Sequence, residues 1–199
     1  MEYNILSTPS VGTERYRAIL QAAERLFVEK GYHTVSVEQI ADAAGVSKGL
    51  IHYHFNSKEQ LLVWILKDML DKLFANLDAI AQSVESSKTK ISKAIIAYLD
   101  MVHSWSGLMR IAFFEEALTE ETKRNFVSLA EKNVMTLIGL VEEGIAKGEF
   151  RMVNSRMVAN LITGAILEVM RETVLQNREI KPGEVSIEIT DIIFGGINS

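Results

Sequence analysis

The chain has 199 residues, is 48% hydrophobic and carries 21 Lys and Arg against 26 Asp and Glu, a formal charge of −5. That length allows one or two domains with an ample core. With no cysteine it has no disulfide and no thiolate metal site, which suits a reducing cytoplasm, and no apolar run approaches the ~18 residues of a membrane span.

Residues 1–12 have neither the basic start nor the sustained apolar stretch of a signal peptide and are expected to be loose. Pro9 and Pro182 are the only prolines, so the strongest helix breaker is absent between them. Helical periodicity holds almost throughout, and the predicted class is all-α.

Residues 36–59, SVEQIADAAGVSKGLIHYHFNSKE, contain three helix starts. A helix leaves its first N–H groups without partners, and a Ser followed three residues later by Gln satisfies two of them reciprocally. This box occurs as Ser36 with Gln39 and as Ser57 with Gln60. Ser47 is a third cap, and Gly45 supplies the backbone freedom for the turn before it. In the first helix Val37, Ile40 and Ala41 share one side while Glu38 and Asp42 face away. In the second, residues 48–55, Ile51 and Phe55 face inward, leaving Lys48, His52, Tyr53 and His54 outside. A basic, aromatic, hydrogen-bonding face suits a DNA major groove, where helix N-terminal residues meet base edges and Lys, Ser and Tyr meet phosphates. The bland alternative is a solvated polar face.

Residues 15–62 resemble the DNA-binding domain of the TetR family of one-component bacterial and archaeal regulators. The resemblance rests on AILQAAERLFVEKGY from Ala18, SVEQIADAAGVSKG from Ser36 and FNSKEQLL from Phe55. It implies a helix-turn-helix with Ser36 and Lys58 on phosphates, Ser47 and Lys48 opening the recognition helix, and Tyr53 and His54 against the DNA backbone. Gly49 and His52 complete the candidate DNA-facing set. Val35 and Leu50 stand where Thr is frequent in the family and His52 where Tyr is common. Bulk charge does not attract DNA, since six Lys and Arg balance six Asp and Glu between residues 14 and 60. Placement must supply affinity, and counterion release makes binding salt-dependent.

The helix starting at Ser57 carries Leu61, Leu62, Ile65, Leu66, Met69, Leu73, Leu77 and Ile80 at spacings of three and four and is read as the link between domains. A Ser-rich loop over residues 83–90 precedes a helix from Ile91, in which Ala97, Met101, Trp105, Met109 and Phe113 recur four apart. Met and aromatic residues at this spacing are ordinarily core. Gly107 is expected to interrupt the helix, and the TetR resemblance implies a ligand cavity wall here. Met101, Trp105, Met109 and Phe113 are then the candidate lining, with Tyr98, His103 and Arg110 as candidate polar contacts. Asp100 and His103 have the i, i+3 spacing of half a carboxylate-bridged metal site, with no second such pair. No metal or cofactor is expected.

Thr119 caps the next helix, Glu120 and Glu121 suit its dipole, and Gly148 ends it. Asn154 or Ser155 caps another, whose apolar residues from Met157 to Val174 span more than one face. One side packs on its own domain; the other either lies in the interior or, as the resemblance implies, meets a second subunit. The homodimer candidates are Leu161, Ala165 and Val169, with Ile189 and Ile193 of the last element. That element, residues 184–194, alternates like a strand and also repeats like a helix. Helix is preferred because an isolated strand has no partner.

An enzyme finds little support: there is no HExxH and no Gly-rich phosphate loop, and the adjacent pairs Glu115–Glu116 and Glu142–Glu143 diverge around a helix. The expected organisation is a loose segment 1–12, a three-helix helix-turn-helix DNA-binding domain 13–60, and a helical ligand-binding and dimerisation domain 61–199. The implied function is a homodimeric, cytoplasmic repressor. It would leave a pseudo-palindromic operator in double-stranded DNA when a small apolar or amphipathic effector binds. The alternatives are a DNA-binding regulator without a ligand and, with less support, an all-helical enzyme.

Overall fold

The computed structural model describes residues 14–114, 117–176 and 178–197. The expected loose segment 1–12 and the Glu115–Glu116 pair lie outside them. The described residues form eight helices and no strand: α1 Glu14–Lys30, α2 Val37–Ala44, α3 Lys48–His54, α4 Lys58–Gln82, α5 Ser87–Phe114, α6 Glu120–Ala146, α7 Ser155–Gln176 and α8 Pro182–Ile197. No helix among the described residues is long and apolar enough to cross a membrane.

The predicted caps form locally. The Ser36 hydroxyl accepts from the Gln39 N–H at 3.2 Å while the Gln39 side chain accepts from the Ser36 N–H at 2.9 Å. Gly45 ends α2 at φ 65°, and the N–H of Val46 reaches back to the Ala41 carbonyl at 3.0 Å. A left-handed residue at this point is what closes the orphan carbonyls of a short helix. Ser47 then caps α3 through the Leu50 N–H at 3.2 Å. The second box differs from expectation: Ser57 accepts from the Gln60 N–H, but the Gln60 side chain accepts from Asn56 rather than from Ser57.

Two further boundaries differ. The Ser-rich loop is shorter than predicted because Ser86 caps α5 through the Thr89 N–H at 3.2 Å, starting the helix at Ser87 instead of Ile91. The break in α5 falls at Trp105, at φ −118° and ψ 15°, not at Gly107. Gly107 has a different task, since a Cβ there would stand 3.2 Å from Val28 Cγ1 of α1. Of the two candidate caps for α7, Asn154 accepts from the Met157 N–H at 3.0 Å. The last element is a helix opened by Pro182, which has no N–H to lose at a helix start.

Two apolar clusters fill the molecule. One gathers Ile19, Phe27, Ile40, Ile51 and Phe55 of α1 to α3 and their flanks, with residues 61–66 and Met69 of α4 and Val102, Leu108, Met109 and Ile111 of α5. The other joins Leu73 and Leu77 of α4 and Ile91, Ile95 and Leu99 of α5 to α6, α7 and α8. Thus α4 and α5 each belong to both clusters, and Met101 packs against both. Glu59, in the first turn of α4, also accepts from the Thr119 N–H at 3.0 Å at the start of α6, a favourable place for a carboxylate.

The far end is held by a close approach and by an ion pair made by a buried lysine. Lys90, 3% exposed, donates to the Ala81 carbonyl at 2.9 Å and to Glu143 at 3.0 Å. Phe150 stacks on Phe194 at 5.6 Å between ring centroids, and a Cβ on Gly144 would fall 2.2 Å from the Phe150 ring. Gly144→Ala must displace that buried pair. The variant is expected to lose about 1–3 kcal/mol, the usual range for overpacking a core, read as a lower urea midpoint with unchanged helical circular dichroism.

Candidate functional site

The helix-turn-helix presents α3 outward. Ile51 and Phe55 are buried at 1% exposure each, anchoring the helix, whereas Tyr53 is 82% exposed and Ser36, Ser47, Lys48, Gly49 and His52 are exposed beside it. Leu50 is half-buried and Val35 buried, so Val35 serves the core. His54 is half-buried, edge-on to the rings of Tyr16 at 5.9 Å and Tyr53 at 5.0 Å between centroids. Tyr16 in turn stacks on Phe55 at 5.3 Å. The rings therefore fix the C-terminal end of α3 against α1.

Lys48 pairs with Glu38 of α2, both ends being about half exposed. The hydrogen bond from Lys48 holds the Glu38 carboxyl at about 2, far below the usual carboxylate range. A phosphate at this position must replace Glu38 as the partner of Lys48, an exchange of one exposed ion pair for another.

Lys58 departs from the sequence reading. Its ammonium donates to the carbonyls of Tyr32 at 2.7 Å, Val35 at 3.1 Å and His33 at 3.5 Å, and lies 4.4 Å from the centroid of the Tyr32 ring. Partial burial pulls its pKa below the ordinary lysine value. An ammonium has three protons, and here all three are directed to the connection between α1 and α2. The side chain fastens α4 to that connection instead of reaching outward to a phosphate.

The second feature is a cavity of about 250 Å³ between α4, α5, α6 and α7. Four of the predicted residues line it: Tyr98, Met101, Met109 and Phe113. Trp105 does not, because the break in α5 falls on it and turns its ring out of the stripe. It sits in a separate depression with Tyr16, Glu24 and Asp68, and Lys72 lies 5.7 Å from its ring centroid. His103 and Arg110 are exposed on the opposite side of α5 and also leave the lining. Asp100 is exposed as well, and the described residues contain no group of three or more potential metal ligands.

The other walls come from Leu66, Met69, Leu70 and Leu73 of α4 and from Thr163, Ile166, Leu167 and Met170 of α7. Their apolar spacing is visible in the sequence, but spacing does not tell a core position from a cavity wall. No charged side chain is among the described lining residues, and the Thr163 hydroxyl is already engaged with the Ala159 carbonyl at 2.9 Å.

On the outer face of α7, Leu161 is 55% exposed, while Ala165 and Val169 are half-buried. In α8 the predicted Ile189 and Ile193 turn toward their own core, because Ser186, Thr190 and Phe194 on the same side are buried. Ile187 and Ile192 are the exposed large apolar residues among the described residues of that helix, so the outward apolar surface lies beside Ile189 and Ile193 and not on them.

Lys58→Met is expected to destabilise the protein by about 1–3 kcal/mol, because three carbonyls lose a charged donor; chemical denaturation measures it. A side chain reserved for DNA would leave stability unchanged.

Residues 19–64 match bacterial regulatory proteins of the tetR family, and residues 84–171 match the tetracyclin repressor-like C-terminal domain. The chain is 31% identical to the HTH-type transcriptional repressor KstR2 of Rhodococcus jostii over 69% of this chain and 68% of that protein. It is 28% identical to KstR2 of Mycolicibacterium smegmatis over 96% of this chain and 94% of the relative. The fold is similar to that of the transcriptional regulator FadR from Bacillus subtilis in complex with stearoyl-CoA. The TM-score is 0.74 at 23% identity, covering 92% of this chain and 100% of the other. With both halves matched and this level of identity to a regulator over two thirds of its length, the chain belongs to the TetR family of bacterial regulatory proteins.

Proposed function

We propose that the chain is a homodimeric transcriptional repressor that releases its operator when a small apolar or amphipathic molecule enters the cavity. The observation that carries this reading is the apolar cavity on α4 and α5, the two helices that also complete the core beneath the recognition helix. The repressors named KstR2 and the FadR complex with stearoyl-CoA support the same direction.

In this reading α3 enters the major groove of duplex DNA, with Ser47, Lys48, Gly49 and His52 at its N-terminal and central turns and Tyr53 toward the backbone. Ser36 and the N-terminus of α2 address a phosphate. Two copies joined through the outer faces of α7 and α8 set two recognition helices about 34 Å apart, so the operator is pseudo-palindromic.

The ligand works only by binding one arrangement of the helix-turn-helix better than the other. The route proposed here runs through α5. Met109 and Phe113 line the cavity beyond the break at Trp105, and Gly107 on the same short segment abuts Val28 of α1. Filling the cavity shifts this segment, and α1 carries the recognition helix with it.

A mobility shift on the DNA upstream of its own gene tests the reading. Wild type is expected to give a salt-sensitive complex that a cavity ligand dissolves. Lys48→Ala is expected to weaken the complex across sequences and lower the salt slope by about 1, with unchanged thermal stability. Full affinity in that variant would remove Lys48 from the interface, and a shift blind to every apolar ligand would remove the sensor.

A further inference from the structure

Tyr98 projects from α5 into the cavity wall, is 9% exposed, and its hydroxyl is buried with no hydrogen-bond partner. A buried hydroxyl without a partner is uncommon in a folded protein, because it has left water without compensation. Burial drives the Tyr98 pKa upward, so the group is a neutral phenol and a proton donor. The rest of the described lining is aliphatic, thioether or aromatic apart from Thr163, whose proton is already given to Ala159.

These facts fix two properties of the occupant. A formal charge inside the cavity would be desolvated without a counter-charge from the described lining residues, none of which is Lys, Arg, His, Asp or Glu. The size is limited as well. An engineered apolar cavity of about 150 Å³ holds benzene. By proportion, the present volume of about 250 Å³ holds about ten non-hydrogen atoms.

We infer that the occupant is an uncharged apolar molecule, or the uncharged end of a larger one, of about ten non-hydrogen atoms, bearing a single acceptor oxygen that takes the Tyr98 proton. A ketone or ester carbonyl meets this requirement. A free carboxylate and a pure hydrocarbon do not: the first adds an unpaired charge and the second leaves the phenol orphaned. The inference rests on the reading of the cavity as a ligand site and adds the chemistry of the ligand to it.

The test compares nonan-2-one, nonane and octanoate by calorimetric titration and ligand-induced thermal shift on the full chain, as wild type and as Tyr98→Phe. The phenylalanine variant is expected to melt at or above the wild-type temperature, because it deletes an unpaired group. Nonan-2-one is expected to lose about three- to tenfold in affinity on Tyr98→Phe, nonane to lose nothing, and octanoate to bind neither form. An equal effect of the substitution on nonan-2-one and nonane overturns the role of Tyr98 and leaves the cavity as a ligand site. Tighter binding of octanoate than of nonan-2-one overturns the uncharged class, and a clear drop in melting temperature shows that the hydroxyl has an internal partner. Binding of none of the three to either form overturns the ligand site itself.

Discussion

Everything in this molecule depends on α4 and α5 being packed twice. Their near halves close the core of the helix-turn-helix, through Leu61, Leu62, Leu66 and Val102, and their far halves close the core made with α6 to α8, through Leu77, Ile91 and Ile95. Interiors at this density resist continuous deformation and transmit displacement. A short domain joined to a larger one by a flexible linker would sense nothing of its partner. Here Met101 packs against both clusters and lines the cavity, so the cavity lies at the seam where both cores meet.

The contacts at the seam are small and local. At Gly107 a Cβ would crowd Val28 of α1, Glu59 ties the start of α4 to the start of α6, and Lys58 fastens α4 to the connection between α1 and α2.

What was legible in the sequence follows from the range of the forces involved. The caps at Ser36, Ser47 and Thr119 join residues three apart, so their signature survives in the chain alone, and the helices, the turn at Gly45 and the burial of Ile51 and Phe55 follow from them. The break at Trp105 has no local signature: neither proline nor glycine stands at the position, and the stripe of every fourth residue passes through it unmarked. Because the break reorients the stripe, Trp105 leaves the lining while Met101, Met109 and Phe113 remain. The surroundings of Lys58 and the inward side of α8 have no local signature either, since both are settled by partners more than twenty residues away in the chain. The resemblance to a family located the helix-turn-helix, but local chemistry decides which lysine is free to leave it: Lys48 exchanges one exposed partner, whereas Lys58 is held by three carbonyls.

The central claim is that occupancy of the cavity reaches the recognition helix through the contact of Gly107 with Val28. The most direct measurement is operator affinity with and without the strongest cavity binder from a thermal-shift screen, in wild type and in Val28→Ala, whose side chain is half exposed and whose loss leaves the core intact. The account predicts that both unliganded proteins bind the operator alike, and that the ligand weakens binding far less in the variant. An equal loss of operator affinity in both proteins would contradict it.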